Sequence, residues 1–88
     1  MTSDSTLRRY VGVYERGTGD ELNITFADGR FFGQRTGFAK REYVPMGEGI
    51  FYTNSSAATY LFVRDEHGAL RSIEMLVFGR VLNFKRVN

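Results

Sequence analysis

The 88-residue sequence contains no cysteine and no tryptophan, and it has one proline and one histidine. The lack of cysteine excludes disulfide bonds and cysteine-ligated metal sites. The single histidine, His67, argues against a zinc centre, because such centres combine several nitrogen or sulfur ligands. We therefore expect no metal and no cofactor, and a fold that depends on hydrophobic packing.

The sequence also lacks any apolar run that approaches the roughly 20 residues of a membrane-spanning helix. Residues 1–6 are polar and lack the apolar centre of a signal peptide. On these grounds we expect no membrane partner and, for the chain as given, a cytoplasmic location. A periplasmic location is the alternative if the sequence is part of a longer exported protein.

Charge of one sign is not concentrated anywhere in the chain. The net charge is +2, and acidic residues are interleaved with cations that form separated pairs at residues 8–9, 40–41 and 85–86. Nucleic-acid-binding surfaces usually gather their basic residues into one stripe or patch. The pattern therefore favours a mixed, solvated surface and argues against nucleic acid as the main partner.

What the sequence does contain is a series of short alternating segments separated by glycine. Within residues 21–26, for example, Leu22 and Ile24 alternate with polar residues, which is typical of a half-buried strand. Asp28-Gly29 is a strong hairpin signal because glycine accepts the positive φ that such turns require. The pattern predicts a short helical turn at residues 5–9 and eight strands, at residues 10–15, 21–26, 30–35, 39–44, 50–53, 58–64, 70–77 and 80–87.

These segments predict an all-β fold, a small antiparallel meander that closes into a barrel of about eight strands. Closure is favoured because it removes exposed sheet edges. We expect a polar tail at residues 1–6 and one barrel domain at residues 7–88. A barrel of this size is filled by side chains or holds one small ligand. The 8 phenylalanines and 5 tyrosines favour a filled interior with a shallow mouth.

The order of turn and core landmarks resembles that of a known family. The residues that carry the resemblance are Leu7, Tyr10, Gly12, Tyr14, Leu22, Asp28-Gly29, Pro45, Phe51, Phe62 and Asp65 to Gly68. They resemble the lipocalin-like C-terminal domain of some serine-β-lactamase-like peptidases and esterases, over nearly the whole chain. The resemblance implies a lipocalin-like barrel that accompanies a serine-hydrolase catalytic domain, carries no nucleophile, and covers an active site, binds a ligand or supports oligomerisation.

We predict no catalytic residues in this chain. No serine is followed by lysine three residues later, as the Ser-x-x-Lys nucleophile motif requires. His67 lies between Glu66 and Gly68 in a predicted turn, which is typical of an exposed loop residue. The sequence therefore favours a non-catalytic accessory or binding module.

The candidate binding residues are those that combine an aromatic body with a polar tip, or that supply polar contacts near the predicted barrel mouth. All five tyrosines have two interpretations, as core residues with a hydroxyl at the surface or as lining of the mouth. Glu74 is included because it lies in an apolar stretch, where an inward carboxylate would need Arg71 or Arg80 as partner. The predicted set is Tyr10, Tyr14, Gln34, Arg35, Tyr43, Tyr52, Arg71 and Glu74.

Three functional hypotheses remain open from the sequence. The first is a barrel that binds a small apolar ligand at a mouth of tyrosine and arginine, or packs on a catalytic partner. The second is a homodimer formed through an unpaired strand edge at residues 50–53. The third is weak binding of single-stranded nucleic acid, which requires exposed aromatic rings on the same face as arginine.

Overall fold

A computed structural model of the protein describes residues 4–17, 19–53 and 58–87. It contains one helix, α1 (Asp4–Tyr10), and nine strands. The strands are β1 (Gly12–Glu15), β2 (Glu21–Ala27), β3 (Arg30–Arg35), β4 (Arg41–Glu42), β5 (Val44–Gly47), β6 (Ile50–Tyr52), β7 (Thr59–Arg64), β8 (Leu70–Val77) and β9 (Arg80–Arg86). No helix within these residues is long and apolar enough to span a bilayer.

The strands form one antiparallel sheet that curls into a nearly closed barrel, which confirms the predicted fold class. Their order is β4-β3-β2-β1-β9-β8-β7-β6-β5. Strands β4 and β5 stand at the two ends of this order but are joined through the single residue Tyr43. The Tyr43 amide donates to the Phe31 carbonyl at 2.7 Å, which continues the β3–β4 pairing. The β4–β5 segment thus acts as one strand, and the barrel has eight sides.

The structure differs from the predicted strand pattern at Pro45. The strand predicted at residues 39–44 stops before this proline, whereas Pro45 lies inside β5 and pairs with Phe51. A proline is tolerated there because β5 pairs along one edge with β6, and its other edge makes no ladder that needs the missing N–H. Gly12 pairs with Ile24 of β2 in regular register, so this glycine introduces no bulge into β1.

Two hairpin turns place a residue other than glycine at positive φ. Asp28 and Gly29 have φ values of 53° and 75°, and Phe78 and Gly79 have φ values of 50° and 74°. The pair of positive φ angles matches the right-handed twist of the flanking strands, which makes these tight hairpins. Aspartate adopts this conformation readily, whereas a bulky phenylalanine is strained in it.

An aromatic cluster fills the barrel at one end. Phe51 is fully buried and its ring centroid lies 4.9 Å from that of Phe31 and 5.2 Å from that of Phe62. Edge-to-face and offset pairs at such distances add favourable energy beyond the area that they bury. The few large rings thus supply most of the core of a small domain.

Helix α1 closes the end of the barrel at which this cluster lies. Its Tyr10 is fully buried and stacks on Phe62, with centroids 4.8 Å apart. The Tyr10 hydroxyl accepts a hydrogen bond from Arg64 at 3.1 Å, and the Tyr10 carbonyl accepts one from the Tyr14 hydroxyl at 2.8 Å. The helix is therefore held by packing and by hydrogen bonds to two strands.

Alkaline pH should destabilise the barrel between pH 10 and about 12. Burial raises the pKa of Tyr14 from its usual 10 to about 12, against the opposing effect of Arg86. The unfolded chain loses this proton near pH 10 while the folded chain keeps it, so the free energy of unfolding falls as the pH rises through this window. Denaturant titrations across the window should show a shallower fall in Tyr14→Phe. Parallel pH profiles for the two proteins would contradict the assignment.

Candidate functional site

The end of the barrel opposite α1 is open and holds a cavity of about 590 Å³. This size lies within the range of small-molecule binding pockets. The described residues that line it are Arg16, Leu22, Gly33, Arg35, Phe38, Ala39, Arg41, Tyr43, Ala58, Tyr60, Met75, Val77, Phe78, Arg80 and Leu82.

The position of the cavity follows from the up-and-down topology. Strands β2, β7 and β9 begin at this end of the barrel, and β3 and β8 finish there. Side chains alternate along each strand, so every second residue near these ends points inward. The turns after β1, β3 and β8 meet at the same end, since alternate turns of a meander share one end of the barrel. The inward residues form an apolar floor and the turns form the rim.

Tyr43 forms one wall of the cavity and depends on the glycine beside it. The rings of Tyr43 and Tyr60 stack with centroids 4.4 Å apart. A Cβ atom at position 33 would lie 2.7 Å from Cε1 of Tyr43 and closer still to Cζ and the hydroxyl. Gly33 therefore leaves the space that the Tyr43 ring occupies. Burial, helped by Tyr60, raises the pKa of the Tyr43 hydroxyl far above its usual range, so this wall is uncharged.

A bidentate ion pair orders one side of the rim. Arg35 donates from Nε to Oδ1 of Asp20 at 3.1 Å and from Nη2 to Oδ2 at 3.0 Å. Arg16 lies 3.4 Å from the same carboxylate. The hydrogen bonds from Arg35 are the main cause that lowers the pKa of Asp20 below its usual 3.8. The carboxylate stays ionised at neutral pH and fixes the direction of Arg35.

Two phenylalanines stand on the rim in contact with solvent. Phe38 is 56% exposed and Phe78 is 86% exposed. The Arg35 guanidinium lies 5.1 Å from the centre of the Phe38 ring, within the range of a cation–π contact. Large exposed apolar side chains beside an apolar cavity extend its surface outward.

The structure places the eight sequence-predicted binding residues in different regions. Arg35 and Tyr43 line the cavity. Tyr10 and Tyr14 are fully buried in the core, with Tyr10 at the end that α1 closes. The other four, which do not line the cavity, are Gln34, Tyr52, Arg71 and Glu74.

Strand alternation explains why these four lie elsewhere. Glu74 lies between the inward residues Ile73 and Met75, and it is therefore on the outer face, half-buried opposite Leu61 and Asn83. Gln34 is exposed and bonds to the Phe38 carbonyl at 3.2 Å. The remaining two are exposed, Tyr52 on β6 and Arg71 on β8.

Most of the lining residues were absent from the predicted set, although the sequence contains a signal for them. Arg16, Phe38 and Phe78 lie in alternate turns of the meander, which an up-and-down barrel brings to one end. Counting inward positions from those turns would have selected Leu22 and Leu82 as well.

The described part of the chain contains no group of three or more His, Asp or Glu side chains placed to hold a metal ion. His67 is exposed in the turn between β7 and β8, and its imidazole faces Glu66 at 3.8 Å. The cavity thus offers apolar surface, hydroxyl groups and guanidinium groups.

Comparisons with known proteins add no family assignment. A scan of the chain against protein-family models finds no match, and a search of curated proteins finds no significant similarity.

Proposed function

We propose that this protein is a non-catalytic barrel module that binds a small, largely apolar ligand in the open cavity. The observation that carries the proposal is the cavity itself, because a closed and filled barrel of this size would leave no such space. The apolar lining from Leu22, Met75 and Leu82 supplies the hydrophobic contact that such ligands need. The lipocalin-like resemblance of the sequence is in keeping with a carrier or accessory role.

Binding can be tested with a neutral probe, because the sequence has no tryptophan and a single introduced one would report its position. Leu82 lines the cavity from β9, whereas Leu76 lies 37% exposed on the outer face of β8. We expect N-phenyl-1-naphthylamine to bind saturably at one site and dodecanol to displace it. In Leu82→Trp the tryptophan emission should shift on adding dodecanol, and in the matched control Leu76→Trp it should not.

Two results would contradict the proposed ligand binding. If the neutral probe shows no saturable binding, or if both reporters respond alike, the cavity is not a ligand site. Native mass spectrometry of the protein purified without detergent would extend the test, because a retained ligand adds mass that disappears on denaturation.

A second candidate function, packing on a partner protein, is favoured by the exposed rings of Phe38 and Phe78. An apolar rim of this kind fits a protein surface as well as a ligand. Self-association through β6 has less support, since β6 is paired with β5 on one side and β7 on the other. If dodecanol does not bind, analytical ultracentrifugation at several protein concentrations distinguishes self-association through the rim from a monomer.

A further inference from the structure

The charges around the cavity are of one sign. Four arginines line it, from the turn after β1 and from strands β3, β4 and β9. No aspartate, glutamate or histidine is among the described residues of the lining. The apolar floor is therefore bordered on several sides by guanidinium groups, although the chain as a whole carries a net charge of only +2.

Neighbouring carboxylates offset only part of this charge. Asp20 pairs with both Arg16 and Arg35 and contributes a single negative charge to the two. Arg80 begins β9, the strand next to β1, directly after the Phe78-Gly79 turn, and within the described chain it forms no salt bridge. The rim thus keeps a net positive charge next to an apolar interior.

From this juxtaposition we propose that the ligand is an anionic amphiphile. Its apolar body lies in the cavity, and its carboxylate, sulfonate or phosphate group lies at the mouth against Arg80. This inference rests on the proposed binding function and specifies its ligand class. A planar guanidinium forms paired hydrogen bonds to such anions, and a charge-assisted bond is stronger than a neutral one.

The rim phenylalanines fit the same ligand. Phe78 keeps a strained positive φ and an exposed ring beside the arginine that would hold the anion. Strained and exposed positions of this kind cluster at binding sites. The ring would cover the first part of the apolar body next to the charged group.

The test compares amphiphiles that share one alkyl chain and differ in charge. Displacement of N-phenyl-1-naphthylamine is measured with dodecanoate and dodecyltrimethylammonium below their micelle-forming concentrations, and with dodecanol below its solubility limit. We expect dodecanoate to bind at least about tenfold more tightly than dodecanol, and the cation to bind most weakly. A tenfold ratio corresponds to about 1.4 kcal/mol, which is close to the lower end of what one charge-assisted hydrogen bond contributes.

A rim variant tests the role of Arg80. In Arg80→Gln, dodecanoate should lose about tenfold in affinity while dodecanol changes less than about twofold. The matched control is Arg71→Gln, which removes an exposed arginine from the outer face of β8. Its affinities for both compounds should equal those of the unmodified protein.

A gain of affinity is expected in Asp20→Asn. The substitution removes the carboxylate that pairs with Arg35 and Arg16, so both guanidinium groups become available to the ligand anion. Dodecanoate should then bind several-fold more tightly, while dodecanol is unchanged. A loss of dodecanoate affinity in this variant would contradict the charge argument.

The outcomes separate the two proposals. If dodecanol and dodecanoate bind equally, the cavity binds ligands but the anionic class is wrong. If neither displaces the neutral probe, or the probe itself does not bind, the binding function fails as well. A last titration uses a labelled single-stranded oligonucleotide. If the oligonucleotide binds more tightly than dodecanoate, the arginines and exposed rings bind nucleic acid and the anionic-amphiphile proposal is wrong.

Discussion

Replacing Phe51 with alanine should lower the free energy of unfolding by about 3–5 kcal/mol, the range for truncating a buried aromatic side chain. Phe51 is fully buried, and its ring packs against those of Tyr10, Phe31 and Phe62. The truncation removes contacts from several rings at once and leaves a cavity between them. Because small domains are stable by only about 5–15 kcal/mol, the effect is large. Urea titration of the purified variant measures it.

The matched control is Phe78→Ala, the same chemical change on an exposed side chain. Phe78 is 86% exposed, and alanine adopts its positive φ no better than phenylalanine does. The free energy of unfolding should change by less than about 0.5 kcal/mol. If Phe51→Ala does not fold, Phe51→Leu can be compared with Phe78→Ala instead, because it should lower the free energy of unfolding by a smaller amount. Equal losses for positions 51 and 78 would show that the aromatic cluster is not the main core.

The second large effect is expected at Gly33, where alanine should destabilise the barrel by about 1–3 kcal/mol, the usual cost of overpacking. The added methyl would overlap the Tyr43 ring, which has to leave its stacked position on Tyr60. Intrinsic strand preference acts in the opposite direction, because alanine is less costly than glycine inside a strand. A loss of stability therefore reports the clash itself. Binding of the neutral probe should weaken as well, since Tyr43 forms a cavity wall.

Two further variants test this explanation. Gly47→Ala is the control, because a Cβ there meets its nearest neighbour, Cδ1 of Ile50, at an ordinary 3.7 Å. It should leave stability and probe binding almost unchanged. The double variant Gly33→Ala/Tyr43→Ala should be less destabilised than the sum of its single changes, since removing the ring removes the clash. Additive losses would contradict direct contact between positions 33 and 43.

The sequence predicted the architecture well because strands and tight turns are local signals. Asp28-Gly29 and Leu22-Asn23-Ile24 identify a hairpin and its inward face without reference to the rest of the chain. The eight predicted strands correspond to the eight sides of the barrel. The error at Pro45 arose because tolerance of proline depends on whether the second edge of the strand is paired, and pairing is a property of the whole sheet.

The candidate site was harder to predict because it depends on register across distant strands. Tyr43 and Arg35 were chosen for their chemistry, and they lie in the cavity. Tyr10 was chosen on the same grounds, yet α1 carries it to the other end of the barrel. Residue type alone does not tell which end or face a side chain occupies. The alternation of side chains along a strand gives the face, and the rule that alternate turns of a meander share one end of the barrel gives the end.

The pairing of β1 with β9 has a consequence for how the barrel assembles. All other neighbouring sides of the barrel are consecutive in the chain, and they can form as local hairpins. The β1–β9 seam joins distant positions, and Arg86 bonds across it to the Val11 carbonyl 75 residues away. Closing so long a loop is entropically costly and slow. During synthesis β1 emerges early but receives its second partner last, so an open meander with two bare edges comes before the barrel and is the stage most exposed to strand exchange between copies.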